Sequence, residues 1–351
     1  MNIHVAQSLE AQAELDMLSR SKYKLISAQS SKPNMCIVQD SLVGAYMMTL
    51  GLQSVEEKDF FNLSLKIGIS TEKIQKKMQM IRKIFKEKGK KAKCFHGHGL
   101  ISLVLPDDLI YEKKNDANPE EPIVKIYRGV MYEGTLDKNT LGAVHNSLIH
   151  VIHKEYGPDE TCSFIDGIQF IANNWLLIAG FSIGLGDCMV QGEDKVREIK
   201  DVIKKCYIES EGIKATTSHP NIREIRITAS LSKAKDIGLK IAKDALAPDN
   251  NFLNTVRSGS KGDFFNISQL TGLLGQQCLL GQRVTPSLNN GKRSLPHYKF
   301  DDLDLHDEYE SRGFIDSSFI KGLNPKQYYM HNCAGREGCA DKLCPKKVAV
   351  F

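Results

Sequence analysis

Between Gly322 and Gly338 the sequence writes out a helix start almost in full: Gly322-Leu323-Asn324-Pro325-Lys326-Gln327-Tyr328-Tyr329-Met330-His331, then Gly335-Arg336-Glu337-Gly338. Asn324 can cap the first turn, and Pro325 sits at the first helical position, where its missing N–H is no loss. Gln327 stands where a side chain can reach back to the cap's own N–H. Two glycines then bracket an Arg-Glu pair inside what should be continuing helix, and each costs about 1 kcal/mol against Ala. The segment therefore ends there or is built to bend. Pro345 breaks any helix that persists beyond it.

Composition sets outer bounds. With 351 residues and 41% hydrophobic content, the chain can bury a core and has room for two or three domains. A net charge of +5 and a pI near 8.6 permit a nucleic-acid surface without requiring one. No run approaches the roughly 18 apolar residues of a membrane span. Nor does residue 1 lead into the apolar stretch of a signal peptide, so a soluble intracellular chain with no membrane partner is expected. The nine cysteines include no CxxC pair, and a zinc site has no local support. Cys94-Phe95-His96-Gly97-His98 and the group Cys333, Cys339 and Cys344 are the candidates, with ordinary reduced cysteines preferred for both.

Taken in order, residues 9–20 read as a helix with Leu9, Ala13 and Leu15–Leu18 apolar. Ser31-Lys32-Pro33-Asn34 signals a turn, and Gln39-Asp40 leads into a helix through Met48. Residues 72–93 are the most basic stretch. Ile74, Met78, Ile81 and Phe85 form one helical stripe there, surrounded by Lys73, Lys76, Lys77, Lys83, Lys86 and Lys88, with Lys90, Lys91 and Lys93 beyond Gly89. A solvated face is preferred for these lysines over a nucleic-acid contact.

Residues 99–111 read as a β-like apolar run stopped by Pro106, residues 112–122 as a loop, and 123–135 as a strand pair turning near Gly129. Gly157-Pro158-Asp159 starts a helix striped by Phe164, Ile168, Ile171, Trp175 and Ile178 and closed by Gly180. Gly184-Leu185-Gly186-Asp187 lacks the third glycine and the preceding strand of a dinucleotide fingerprint. His145, His150 and His153 are read as packing and surface residues. Two helices then form an antiparallel hairpin across residues 216–221. Val196, Ile199, Ile203 and Cys206 stripe the first; Ile222, Ile225, Ala229, Ile237 and Ile241 stripe the second. Gly259-Ser260-Lys261-Gly262, running toward a helix near Asn266, offers a lysine, hydroxyls and backbone N–H groups as an anion cradle. It is not the GxxxxGK[ST] loop, and Asp263 opposes an anion.

Several of these runs together carry a resemblance. "SRGFI…GLNPKQYYMHNCAGREG", "LGAVHNSLIHVIHKEYGPDETCSFIDGIQFIANNWLLIAGFSIGLGDCM" and "NNFLNTVRSGSKGDFFNISQLTGLLGQQCLLGQRV" resemble the largest subunit of multisubunit DNA-directed RNA polymerases, in its eukaryotic and large-DNA-virus branch. The likeness covers roughly residues 1–60 and 95–338 and is weakly specific between 61 and 94. It implies a helix-rich α+β fold: a pore region of mixed strands and helices, an α-helical funnel hairpin and a truncated bridge helix. The implied boundaries are 1–20 for the tail of the active-site domain, 21–183 for the pore, 184–310 for the funnel, 311–338 for the entry and first half of the bridge helix, and 339–351 for a non-family tail.

By the same resemblance, Lys261, Gln276, Gln277, Arg283, Arg293 and His297 lie along the nucleoside triphosphate path and cleft. Tyr328, Tyr329, His331, Arg336 and Glu337 belong to the bridge helix, and Asn2 and His4 follow the metal-binding motif. That motif, Asn-Ala-Asp-Phe-Asp-Gly-Asp-Glu, is absent from this sequence. The resemblance therefore implies Mg2+ only in an assembled enzyme, with ligands outside this chain and no catalytic residue within it, and leaves the chain alone inactive. Implied partners are the other polymerase subunits (the second-largest above all), template DNA, RNA and nucleoside triphosphates, in a nucleus, virus factory or virion. A reading frame split by an intron or intein, with Cys339–Phe351 as read-through, accounts for the absent motif. A free-standing nucleic-acid-binding scaffold is the alternative, and a phosphate-binding enzyme using Lys261 the weaker third reading.

Overall fold

The apolar stripes assemble two units in the computed structural model, which describes residues 3–90, 94–114, 121–190, 192–244, 246, 247, 249–299 and 301–343. The units are Met1–Ser182 with Asn254–Lys261, and Ile183–Leu253 with Gly262–Phe351. Helices dominate both, and the sheets are small, as expected of a helix-rich α+β chain.

The first unit begins with α1 (Leu9–Glu14), capped by the Ser8 hydroxyl, which accepts from the Ala11 N–H. A π-turn, Leu15–Ser19, continues it, and neither segment has a buried residue. The core is built by α2 (Gln39–Thr49), α3 (Glu57–Lys66), α4 (Thr71–Glu87), α5 (Gly97–Val104) and a later helix, Leu148–Ala179. Strands β1 (Tyr111–Lys113), β2 (Val124–Tyr127) and β3 (Val130–Glu133) form an antiparallel sheet in sequence order. Arg128 and Gly129, with φ of 47° and 65°, make the two-residue turn between β2 and β3 that matches strand twist. The expected strand pair is therefore present. After α6 (Lys138–Leu141), capped by Asp137, comes α7 (Leu148–Ala179).

Four expectations need correction here. The apolar run after Gly97 is helix, not strand, as far as Val104; only Tyr111, at its far end, enters the sheet. His96 decides this by accepting the Gly99 N–H on Nδ1 at 2.9 Å, and an apolar run buried all round carries no period to separate the two states. The helix at Gly157 is the second half of a longer one. Gly157, at φ 87° and ψ −178°, kinks α7, and Pro158 restarts it in the position proline tolerates best. Ile178, assigned to the buried stripe, is 54% exposed, whereas Phe164, Ile168 and Ile171 are buried as expected.

Lys77 is the fourth correction. It does not ride a solvated face: it is 2% exposed, donating to the Leu105 carbonyl at 2.8 Å and pairing with Asp107 at 2.6 Å. Burial pushes its pKa down from 10.5 against the raising pull of Asp107. A base whose folded pKa lies below its unfolded value binds its proton less readily when folded. Its charge therefore weakens the fold at neutral pH, and the weakening is relieved as pH climbs from the folded pKa toward 10.5. Lys77→Met, which keeps the length and discards the charge, is expected to be neutral or stabilising at pH 7 and to flatten this pH slope. Lys77→Ala, which leaves a void and an unpaired carbonyl, should cost about 2–3 kcal/mol. Urea titrations followed at Trp175 at neutral and alkaline pH test the pair; equal damage from both would reject the assignment.

The Cys94–His98 run and His150 are absorbed by packing. Cys94 Sγ lies 3.4 Å from the Met78 carbonyl, and His98 Nε2 2.8 Å from that of Gly134. Burial pushes the His98 pKa down to about 4, so the ring is neutral at physiological pH. His150 accepts the Asn146 N–H on Nδ1 and stabilises the turn into α7.

The second unit is led by the antiparallel hairpin of α8 (Glu193–Thr216) and α9 (Pro220–Asp244), in which Glu209 meets Lys233 and Thr217 meets Arg226. Ile199, Ile203 and Cys206 are buried on α8 as expected, while Val196 is 42% exposed. On α9 the stripe is Ile227, Leu231 and Ala234; Ile222, Ile225 and Ile237 face outward, and the Ile241 side chain lies outside the described residues. Both sets repeat at helical spacing, so only packing against Tyr207, Leu273, Tyr309 and Phe314 selects between them. Helix α10 (Asn251–Arg257) carries the chain back into the first unit. The helix expected near Asn266 begins earlier, as α11 (Phe264–Ile267), followed by a π-turn, Ser268–Gly272.

The chain then forms β4 (Gly275–Gln276), β5 (Cys278–Leu279), β6 (Gln282–Arg283), α12 (Leu305–Ser311), β7 (Phe314–Ile315) and α13 (Pro325–Leu343). Neither Gly335 nor Gly338 ends α13, which continues through Leu343 across the boundary drawn at 338. A Cβ at either glycine would meet nothing within 4 Å, so their cost is intrinsic and is offset by what the other face of the helix holds. Residues 344–351, with Cys344 and Pro345, lie outside the described residues, as do Asn2, Lys91 and Lys93. No described helix is long and apolar enough to cross a membrane.

Candidate functional site

Two short strand pairs and α13 bring half of the candidate residues of the second unit together. Gly275 and Gln276 of β4 pair antiparallel with Ile315 and Phe314 of β7, and Cys278 and Leu279 of β5 pair with Arg283 and Gln282 of β6. The tip between β5 and β6 is Leu280-Gly281, both with positive φ (51° and 74°). A leucine pays steric strain in that region of backbone space, and Leu280 is 79% exposed, so no burial of its side chain offsets the strain. What holds it is Glu337 of α13, whose two carboxylate oxygens accept the Leu280 N–H at 2.9 and 3.0 Å.

A second tie lies two turns earlier on α13. His331 Nδ1 is 3.1 Å from Gln277 Oε1, and an amide oxygen accepts, so the imidazole donates. Burial lowers the His331 pKa, which keeps the ring neutral, and Phe319 meets it edge-on at 5.4 Å. Gln276 turns the other way, donating to the carbonyls of Arg312 and Gln277. The helix start is as the sequence indicates. Gln327 N–H donates to Asn324 Oδ1 at 2.8 Å, and Asn324 N–H to Gln327 Oε1 at 3.3 Å, which is a reciprocal cap. Behind it Glu310, 2% exposed, accepts from Lys326 at 2.8 Å and from Asn324 Nδ2 at 2.6 Å. Burial raises the Glu310 pKa, but Lys326 and Asn324 outweigh it and hold the carboxyl below its usual range.

Arg283, 4% exposed, forms a two-pronged pair with Glu224 of α9: Nε to Oε2 at 3.0 Å and Nη2 to Oε1 at 3.1 Å. Arg312 reaches the same carboxylate at 3.2 Å and donates Nε to the Val284 carbonyl at 2.6 Å. Two guanidiniums thus share one carboxylate. Burial and the neighbouring Arg283 both lower the Arg312 pKa. A cavity of about 590 Å³ opens beside the trio, with Asn221, Thr228 and Ser232 on its wall. Sequence reasoning selected Arg283 but missed Glu224 and Arg312. Glu224 sits in "NIREIR" like any helix-surface charge, and nothing local marks it as a partner to residues 59 and 88 positions away.

The other candidates stand apart from this cluster. Arg293 bends back onto the Pro296 carbonyl within its own loop, and His297 is exposed. Tyr328, Tyr329 and Arg336 line the exposed side of α13. His4 is exposed. Lys261 belongs to the first unit, exposed between Gly259 and Gly262, whose φ values are 74° and 69°. The hydroxyls of Ser258 and Ser260 both donate to the Thr255 carbonyl, which leaves the lysine and backbone of this loop as its outward polar groups. Asp263 caps α11, its carboxylate accepting the Asn266 N–H at 3.0 Å. Among the described residues, one trio of ligand type could reach a common cation, Asp304, His306 and Asp307, and it includes none of the candidates. Asp304 already caps α12, and His306 leans on Asp316.

Comparison with known proteins places these elements in a family context. Residues 24–188 match the domain family described as RNA polymerase Rpb1, domain 3, and residues 210–315 match RNA polymerase Rpb1, domain 4. The chain is 44% identical over 371 aligned positions to a probable DNA-directed RNA polymerase II subunit RPB1 homolog of Invertebrate iridescent virus 6. That alignment covers 97% of this chain and 34% of the viral protein. It is 32% identical over 360 positions to the DNA-directed RNA polymerase II subunits RPB1-A and RPB1-B of Trypanosoma brucei brucei, covering 97% of this chain and 19% of each. The chain thus spans about a third and a fifth, respectively, of the lengths of these relatives.

Proposed function

The chain belongs to the RNA polymerase Rpb1 family, and from that premise we propose that it works as part of the largest subunit of a DNA-directed RNA polymerase. In this reading it shapes the pore and funnel through which nucleoside triphosphates reach the cleft, and α13 is the bridge helix beside the template. The observation that carries the proposal is the pair of ties from α13 to the β4–β6 segment, Gln277–His331 and Leu280–Glu337. They fix the register of the helix against the strands bearing Arg283. Such an arrangement positions bound partners, and this reading assigns it no acid–base step. The partners in this reading are the other polymerase subunits, DNA, RNA and nucleoside triphosphates. In this reading the catalytic magnesium is held by ligands outside this chain, and no step is derived through it.

Lys261 tests the nucleotide path. In the assembled enzyme, Lys261→Ala should raise KM for nucleoside triphosphates about tenfold, the loss of one charge-assisted contact, with kcat little changed. A KM equal to that of the parent enzyme would remove Lys261 from the path. Primer extension by the isolated 351-residue chain would overturn the wider reading.

A further inference from the structure

Within the second unit, a cavity of about 510 Å³ runs along α8 on the flank that α9 does not cover. Its floor is apolar: Val196, Ile199 and Ile203 from α8, and Ile320 from the segment after β7. Val196 is 42% and Ile320 38% exposed. From Val196 to Tyr207, also in the lining, the groove follows three turns of helix, about 16 Å at the helical rise. Three lysines stand around it, Lys200 and Lys204 one turn apart on α8 and Lys321 on the facing segment. Among the described residues none of the three has an ion-pair partner, whereas Lys195, Arg197 and Lys214 of the same helix each have a carboxylate. The acid in the lining, Asp316, is taken by His306 at 3.3 Å and Gln327 at 3.1 Å.

We propose that this groove is the docking site of an acidic amphipathic polypeptide segment, supplied by the assembly around this chain, whose apolar side chains fill the floor while its carboxylates meet Lys200, Lys204 and Lys321. Charge complementarity selects the occupant. A basic or neutral segment would leave three ammonium groups facing an apolar contact without a counter-charge, which the low local dielectric penalises. Concavity argues against a lipid surface, since insertion into a bilayer needs protruding apolar side chains. Nucleic acid would use the lysines but gain nothing from an aliphatic floor. The volume suits two to four side chains, as in helix-in-groove recognition. The inference rests on the proposed reading for the assembly that supplies the segment, while the groove and its charges stand apart from it.

The test is zero-length carbodiimide coupling, which joins lysines to carboxylates in contact, applied to the native assembly purified through a tag on this chain, with the joined peptides read by mass spectrometry. Lys200, Lys204 or Lys321 should be joined to a segment in which Asp or Glu alternates with apolar residues. Lys200→Glu with Lys204→Glu should lower the yield at Lys321 about tenfold or more by like-charge repulsion. Acetylation in the same preparation gives the counter-check, since all three lysines should be protected relative to Lys205. Lysines that acetylate freely and join nothing would overturn the proposal. So would protection beneath a surface that yields no carboxylate link, or links confined to Asp316.

Discussion

Glu224→Ala is expected to lower the stability of the second unit by about 3 kcal/mol, because it removes the one carboxylate shared by Arg283 and Arg312. Arg283 has a side chain 3% exposed and cannot recover water on losing its partner. Two guanidiniums then face each other uncompensated. The loss stays at the low end for a broken buried pair because Glu224 itself is 39% exposed, so solvent already screens part of the interaction. Arg283→Met in the Glu224→Ala background should restore part of the loss, since an apolar side chain of similar length needs no counter-ion. The measurement is denaturation followed by circular dichroism and by fluorescence together. The single tryptophan, Trp175, lies in the first unit. The helical signal should therefore gain an earlier transition while the tryptophan transition stays in place. A double variant no more stable than Glu224→Ala would show that the pair is not what holds β6 to α9.

Gly97→Ala is the opposite experiment, a single methyl group added to the first unit. Gly97 is buried at the start of α5, and a Cβ built there would lie 2.7 Å from Met48 Cγ and 2.8 Å from the Met48 carbonyl carbon, with its oxygen closer still. Both sides are anchored. Gly97 N–H donates to the Gln53 carbonyl at 3.0 Å, and Met48 is fully buried in α2. Backbone against backbone cannot be relieved by a rotamer change, so the cost should reach about 3 kcal/mol or exceed it, the upper range for overpacking. Here the tryptophan transition is the one expected to move. Gly335→Ala on α13, where a Cβ meets nothing within 4 Å, should instead stabilise by up to about 1 kcal/mol and serves as the control. A Gly97→Ala variant as stable as the parent would mean that α2 and α5 can separate by more than a methyl radius.

Local chemistry was readable wherever one residue settles its neighbours. The Asn324–Gln327 cap, the Arg128-Gly129 turn and the buried face of α4 follow from short-range rules and are present as expected. Reading stopped where two local answers were equally good. The run after Gly97 satisfies strand and helix alike, and α9 offers two apolar stripes, of which the tertiary contact buries the one the sequence did not single out. Lys77 looked like its solvated neighbours because nothing in its immediate sequence announces Asp107 and the Leu105 carbonyl. In the candidate site the difference is sharpest. The sequence runs singled out Gln277, Arg283, His331 and Glu337, but not the roles of Glu224, of Arg312, or of the strained Leu280 that Glu337 restrains.

By itself, then, the sequence determined the capped start of α13, the β2–β3 turn, the helix-rich class and the polymerase kinship of its long runs, since each depends on residues within a few positions of one another or on an ordered string of them. Only the tertiary structure decided which face of α9 is buried, that α13 passes both glycines, and that two arginines converge on one glutamate. Those outcomes depend on excluded volume and on charge pairing in low dielectric between residues far apart in the chain, and neither leaves a local trace.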